Sequence, residues 1–131
     1  MEREETSMSN SLQEITDVVQ VYFDGLYECD TEKLATIFHP SSHLFANMDG
    51  EFVDWPREQW FEIVKTRVPP ASTGQARHDR IVSIDMSDDN TAVVTCECAI
   101  HPRYFTDFLS LIRIDGEWKI VSKSFRFDVH E

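Results

Sequence analysis

The sequence predicts an α+β domain in which three N-terminal helices pack against a mostly antiparallel sheet. Three observations carry this reading. Leu12, Ile15, Val18, Val19, Tyr22, Phe23 and Leu26 recur at helical spacing. From Arg77 onward apolar and polar residues alternate instead, the period of strands. Finally, Asp115-Gly116 separates two apolar-rich runs, and such a dipeptide supplies the positive backbone angles of a tight type I′ turn, so Asp107 to Phe125 forms one long hairpin. Helices first and strands later is the order of an α+β chain.

Each element follows in order. Residues 1–9 are polar and read as a flexible tail, leaving 10–131 as a single domain. Ser11 with Glu14 fits a capping box ahead of the first helix. Gly25 interrupts that helix at a cost of about 1 kcal/mol against alanine, which a close packing contact explains. Asp30 or Thr31 caps a short second helix with Leu34, Ile37 and Phe38 inward; His39 lies at its end and Pro40 stops it. His43 to Met48 and Glu51 to Val53 form a short hairpin around Asp49-Gly50. Pro56 suits the first turn of a third helix. That helix has Trp60, Phe61 and Val64 on one face and ends before Pro69-Pro70. Four long strands close the chain: Arg77 to Met86, Thr91 to His101, Tyr104 to Asp115, and Glu117 to Val129.

Strand alternation places Ala92, Val94, Cys96, Cys98 and Ile100 on one face, and Phe105, Asp107, Leu109 and Leu111 on one face of the next strand. In the last strand Trp118 and Ile120 fall opposite Val121, Lys123, Phe125 and Phe127. Both sheet faces are apolar, so one packs on the helices and the other needs a cover, most simply a second copy of the chain.

Composition excludes several functions. Asp and Glu outnumber Lys and Arg 24 to 12, a formal net charge of -12, which repels nucleic-acid phosphates and anionic lipid. No run has the ~20 apolar residues of a membrane span, and the N-terminus has no apolar signal core. A cytoplasmic protein with neither nucleic-acid nor membrane partners is expected. Cys29, Cys96 and Cys98 match no metal or redox spacing and read as small core residues; no metal or cofactor is expected. The chain has no Gly-x-Ser-x-Gly elbow and no glycine-rich phosphate loop.

The order helix, helix, short hairpin, helix, four long strands resembles the nuclear transport factor 2-like cone fold. Within that superfamily, YFDGLYECDTEKLATIFHP at 22–40, DRIVSIDM at 79–86 and FTDFLSLIRIDGEWKIVSKSF at 105–125 are similar to the putative lumazine-binding, SnoaL-like branch. The resemblance covers about residues 12–127. It implies a strongly bent sheet wrapped against the helices as a cone, a pocket at the open end, and dimers through the outer sheet face. The superfamily includes isomerases, dehydratases and cyclases alongside non-enzymatic binding domains, so fold leaves function open.

Candidate site residues are few. Asp107 is the first, because Phe105 and Leu109 flank it on its strand and an apolar setting suits a carboxyl group to acid-base work. The alternative is a structural Asp107 paired with Lys123 or Arg103. His39 is a second candidate proton carrier, or a cap on the second helix. His43 stands four residues further on and joins it as a ligand contact. Trp60 and Phe61 lie on a core-facing stripe and also offer aromatic walls to a planar ligand. Trp55 and Phe52 are placed to close the mouth. Phe105 lines the pocket, Arg103 holds an anionic ligand at the rim, and Lys123 reads as an ion-pair partner rather than a nucleophile. Three functions remain open: a homodimeric small-molecule-binding cone, a cofactor-free acid-base enzyme of isomerase or dehydratase type using Asp107 and His39, and a pure dimerisation module whose pocket is filled by its own side chains.

Overall fold

The structure, a computed structural model, describes the backbone of residues 2–130 and the side chains of residues 10–130. Three helices, α1 (Glu2–Glu28), α2 (Thr31–Ala35) and α3 (Arg57–Lys65), pack on one six-stranded sheet. Its strands are β1 (Phe38–Met48), β2 (Glu51–Pro56), β3 (Arg80–Asp88), β4 (Thr91–Ile100), β5 (Arg103–Ile114) and β6 (Glu117–Val129), ordered β2-β1-β6-β5-β4-β3. Only β1 and β6 run parallel; the other neighbours are antiparallel. The architecture is the α+β cone expected from the sequence.

The tail expected over residues 1–9 lies outside the residues whose side chains are described. Ser11 does not start the first helix. It lies inside α1, buried, so Ser11 and Glu14 form no capping box. Asp30 is the N-cap of α2 and accepts a hydrogen bond from the Lys33 amide. Gly25 is where α2 crosses α1: a Cβ there would lie 2.6 Å from Leu34 Cδ2. The close contact inferred from sequence is thus a helix crossing that only glycine admits. Asp115 and Gly116 take φ of 52° and 82°, as the two-residue turn requires.

Two readings are corrected. The first strand begins at Phe38, not His43, because Phe38 already pairs with Ile120 of β6 and Leu44 with Lys123, with a register shift between them around Pro40. Proline has no N–H for the ladder, so an irregularity there is natural. His39 therefore sits on a strand and not at a helix end. The second correction concerns β6. Ser122 pairs with Ser110, yet Ile120 pairs with Leu111, so Val121 is a bulged extra residue. The bulge shifts the alternation by one, so that Trp118 and Ile120 and then Lys123 are all buried. Strict alternation had put Lys123 on the opposite face from Ile120.

The core is formed by Ile15, Tyr22, Leu34, Phe38, Trp60, Val94, Leu109, Leu111 and their neighbours between helices and sheet. Within one chain the large apolar residues Val82, Val93 and Phe108 are exposed, away from this core.

Candidate functional site

Two of the four buried polar or charged residues among the described ones, Asp107 and Lys123, lie together inside the cone. Asp107 and Lys123 are 0% and 5% exposed. Asp107 arrives from β5, where alternation turns it inward with Leu109 and Leu111. Lys123 arrives from β6 through the Val121 bulge. The Tyr22 hydroxyl, from α1, donates to Asp107 Oδ2 at 2.5 Å, and the Cys98 thiol lies 3.7 Å from the same oxygen. Asp107 Oδ1 is buried without a hydrogen-bond partner among the described residues.

Lys123 is not the ion-pair partner of Asp107, and neither is Arg103: no carboxylate lies within the 4.0 Å of a salt bridge from either cation among the described residues. The Lys123 ammonium instead stands in an aromatic box, 4.7 Å from the Trp60 ring centroid, 5.1 Å from Tyr22 and 5.3 Å from Phe125. Ring faces attract a cation, each contact contributing roughly 0.5–2 kcal/mol. The box offsets part of the cost of holding a charge this deep without a counter-ion in contact.

Burial, and then the neighbouring Asp107 charge, hold the Tyr22 phenol well above its ordinary range, so Tyr22 is a neutral donor. Burial and Asp107 likewise push the Cys98 and Cys96 thiols up. Neither is a thiolate nucleophile at neutral pH. Both are core residues, as their strand positions suggested.

Above this layer the cone is nearly full. The cavity beside Lys123, Trp60, Trp55, Phe125 and Cys98 measures about 10 Å³, room for one water at most. It adjoins a larger recess of about 250 Å³ at the mouth, lined by Val68, Gln75, His101 and Arg103. Arg67, Ile100 and Phe105 border both spaces. The interior of the cone is thus filled by its own side chains, with a recess at its mouth.

Of the residues singled out in the sequence, Trp60, Phe105 and Lys123 line the inner cavity and Arg103 lines the mouth. Trp55 lines the inner cavity, whereas Phe52 is 75% exposed and borders neither space. Asp107 lies one layer beneath, reached through Tyr22 and Cys98. Phe61 is a core residue under the Arg57 guanidinium. The two histidines lie elsewhere. His39 Nδ1 accepts the Ser41 amide on β1, and His43 Nδ1 lies 2.7 Å from Asp54 on the β1–β2 edge, stacked on Phe45. Neither borders the cavity, and the structure does not bring them together with Asp107. The reason is the strand start at Phe38, which carries His39 away from the helix end.

Sequence reading missed Tyr22 and Arg67. Tyr22 was legible only as a core residue, though a phenol at the centre of a helical stripe needs a partner for its hydroxyl. Arg67 follows the α3 cap in TRVPP, where a basic residue between apolar neighbours and ahead of two prolines reads as an ordinary helix exit.

Comparison with known proteins agrees with this fold. The family model described as putative lumazine-binding matches residues 10–126. The aldolase FrzH of Cladobotryum sp is 29% identical over 106 residues, covering 79% of this chain and 81% of that protein. An NTF-2 like protein of unknown function from Silicibacter pomeroyi superposes with a TM-score of 0.83 at 21% identity, over 92% of this chain and 98% of its own. A putative scytalone dehydratase from Novosphingobium aromaticivorans gives 0.68 at 16% identity, over 95% and 89%. With a family match along most of its length, this chain belongs to the putative lumazine-binding family, on a fold shared with the NTF-2 like protein of Silicibacter pomeroyi.

Proposed function

We propose that the protein binds a small organic molecule at the mouth of the cone, presenting the Lys123 ammonium to an oxygen of that ligand. The observation that carries this reading is Lys123 itself, 5% exposed, ringed by Tyr22, Trp60 and Phe125, with no carboxylate in contact among the described residues. An ammonium without a charged partner loses more hydration than three ring faces return. A ligand carbonyl or oxyanion supplies the missing acceptor, and Trp55, Trp60 and Phe125 supply flat apolar walls. The ligand occupies the recess of about 250 Å³ and reaches inward as Phe125 and Trp55 adjust.

The test uses a neutral aromatic carbonyl probe, 2-naphthamide. Trp55 and Trp60 line the cavity, so its entry quenches tryptophan fluorescence, while Trp118 lines a separate recess. Lys123→Met keeps the length and apolar stem. It is expected to fold and to bind at least about tenfold more weakly, the loss of one charge-assisted hydrogen bond. Equal binding by wild type and Lys123→Met would remove Lys123 from the site.

A second reading, chemistry beside a ligand carbonyl, is favoured by the relative named an aldolase. In it a solvent hydroxide takes a proton from the carbon beside the carbonyl, the C–H pair moves into the enolate, and the Lys123 ammonium stabilises the oxygen as negative charge develops there, with Asp107 positioning Tyr22 behind it. Deuterium uptake at the methyl group of 2-acetonaphthone in D2O should then be faster with wild type than with Lys123→Met. No acceleration over buffer would leave binding alone.

A further inference from the structure

The mouth of the cavity is cationic in an acidic protein. Apart from Arg113, every described lysine and arginine that does not border the cavity lies within 4.0 Å of a carboxylate. Arg67, Arg103 and Lys123 do not, and all three border the two joined spaces. No aspartate or glutamate lines either space, although the chain carries 24 acidic residues. Arg67 is half-buried, and its guanidinium makes no hydrogen bond to a described residue. It borders the inner cavity and the recess at once. Arg103 lines the same recess, with its guanidinium 5.2 Å over the Phe127 ring. Burial lowers the Arg67 pKa, and the like charge of Arg103 adds to that. Two guanidinium groups facing one space without a counter-ion repel each other, and the arrangement is relieved when an anion enters between them.

We propose that the ligand is an anion: a flat, largely apolar molecule bearing a carboxylate or equivalent oxyanion, which Arg67 and Arg103 hold at the mouth while a second oxygen at the far end of its body faces the Lys123 ammonium. This deepens the binding reading above and rests on it. Arg67 supplies a planar fork that matches both carboxylate oxygens, and Phe105 and Ile100 cover the apolar body beside it.

The test compares 6-carbamoyl-2-naphthoate with naphthalene-2,6-dicarboxamide, alike in shape, each with an amide oxygen for Lys123, and different in charge at the mouth, by tryptophan quenching on wild type, Arg67→Gln and Arg103→Gln. Wild type is expected to prefer the naphthoate by about tenfold or more, as charge-assisted hydrogen bonds imply. Arg67→Gln should bring the ratio close to one by weakening the naphthoate far more than the uncharged probe. Arg103 is exposed, so Arg103→Gln is expected to fold normally and to lose part of the preference. Added salt should weaken the naphthoate alone. Equal affinity for both probes in wild type, or an unaltered ratio in both variants, would overturn the anion inference and leave the binding reading standing. Absence of binding by either probe would overturn both.

Discussion

Replacing Tyr22 with phenylalanine isolates the contact that ties the first helix to the sheet under the cavity. The ring is fully buried and its hydroxyl donates to Asp107 Oδ2 at 2.5 Å. Tyr22→Phe keeps the ring, its packing on Phe23 and Phe38, and its face toward Lys123. It removes only the donor. Asp107 Oδ1 already lacks a partner among the described residues, so the carboxyl group would retain only the Cys98 thiol at 3.7 Å. A hydrogen bond to a charged group contributes about 1.5–3 kcal/mol. Unfolding entropy near 2.1 cal/mol/K per residue gives roughly 0.28 kcal/mol/K for a chain of this length, so Tm should fall by about 5–11 °C. Differential scanning calorimetry at pH 7 reads this directly. A Tm within about 2 °C of wild type would refute the account of a carboxylate dependent on this phenol.

Other predictions follow from the same coordinates. Gly25→Ala would place a Cβ 2.6 Å from Leu34 Cδ2, and Leu34 is fully enclosed. The overpacking cost of about 1–3 kcal/mol should exceed the helix-propensity gain of about 1 kcal/mol, lowering Tm in a thermal melt. The Tyr22 phenol and the Cys96 and Cys98 thiols are raised by burial, so their contribution to stability is complete below their unfolded values and is lost as pH rises through the folded ones. Urea titrations should show stability insensitive to these groups from pH 7 to about 8 and falling above it as the unfolded thiols and then the phenol ionise, with a shallower alkaline fall in Tyr22→Phe. The exposed Val82, Val93 and Phe108 on the outer sheet face are proposed as a homodimer surface. Sedimentation at micromolar concentration should give twice the chain mass, and Phe108→Glu the single-chain mass; a monomeric wild type would leave that face without its proposed partner.

Much of the architecture was legible because it rests on local chemistry. The helical stripe from Leu12 to Leu26, the Asp30 cap, the Asp115-Gly116 turn and the alternation of Thr91–Ile100 each depend on neighbours along the chain. Asp107 was legible for the same reason, as a carboxylate among alternating apolar residues. The site was less so, because it depends on register. The Val121 bulge that turns Lys123 inward exists only where β6 meets β5, and nothing in WKIVSKSF marks it. The parallel pairing of β1 with β6 begins at Phe38 and carries His39 onto a strand, an outcome of contacts 82 residues apart in Phe38–Ile120. Arg67 gained its meaning from what the walls of the two spaces lack, an aspartate or glutamate.

The central claim is that Lys123 faces the ligand from within its aromatic box. NMR of protein carrying 13Cε-labelled lysine tests it most directly. The Lys123 resonance, assigned by its disappearance in Lys123→Met, should be shifted upfield by the rings of Trp60, Tyr22 and Phe125. Titration with 2-naphthamide should move that resonance and leave those of Lys33, Lys65 and Lys119 in place. A Lys123 signal at the ordinary position, or one that stays fixed while the probe quenches tryptophan fluorescence, would contradict the account.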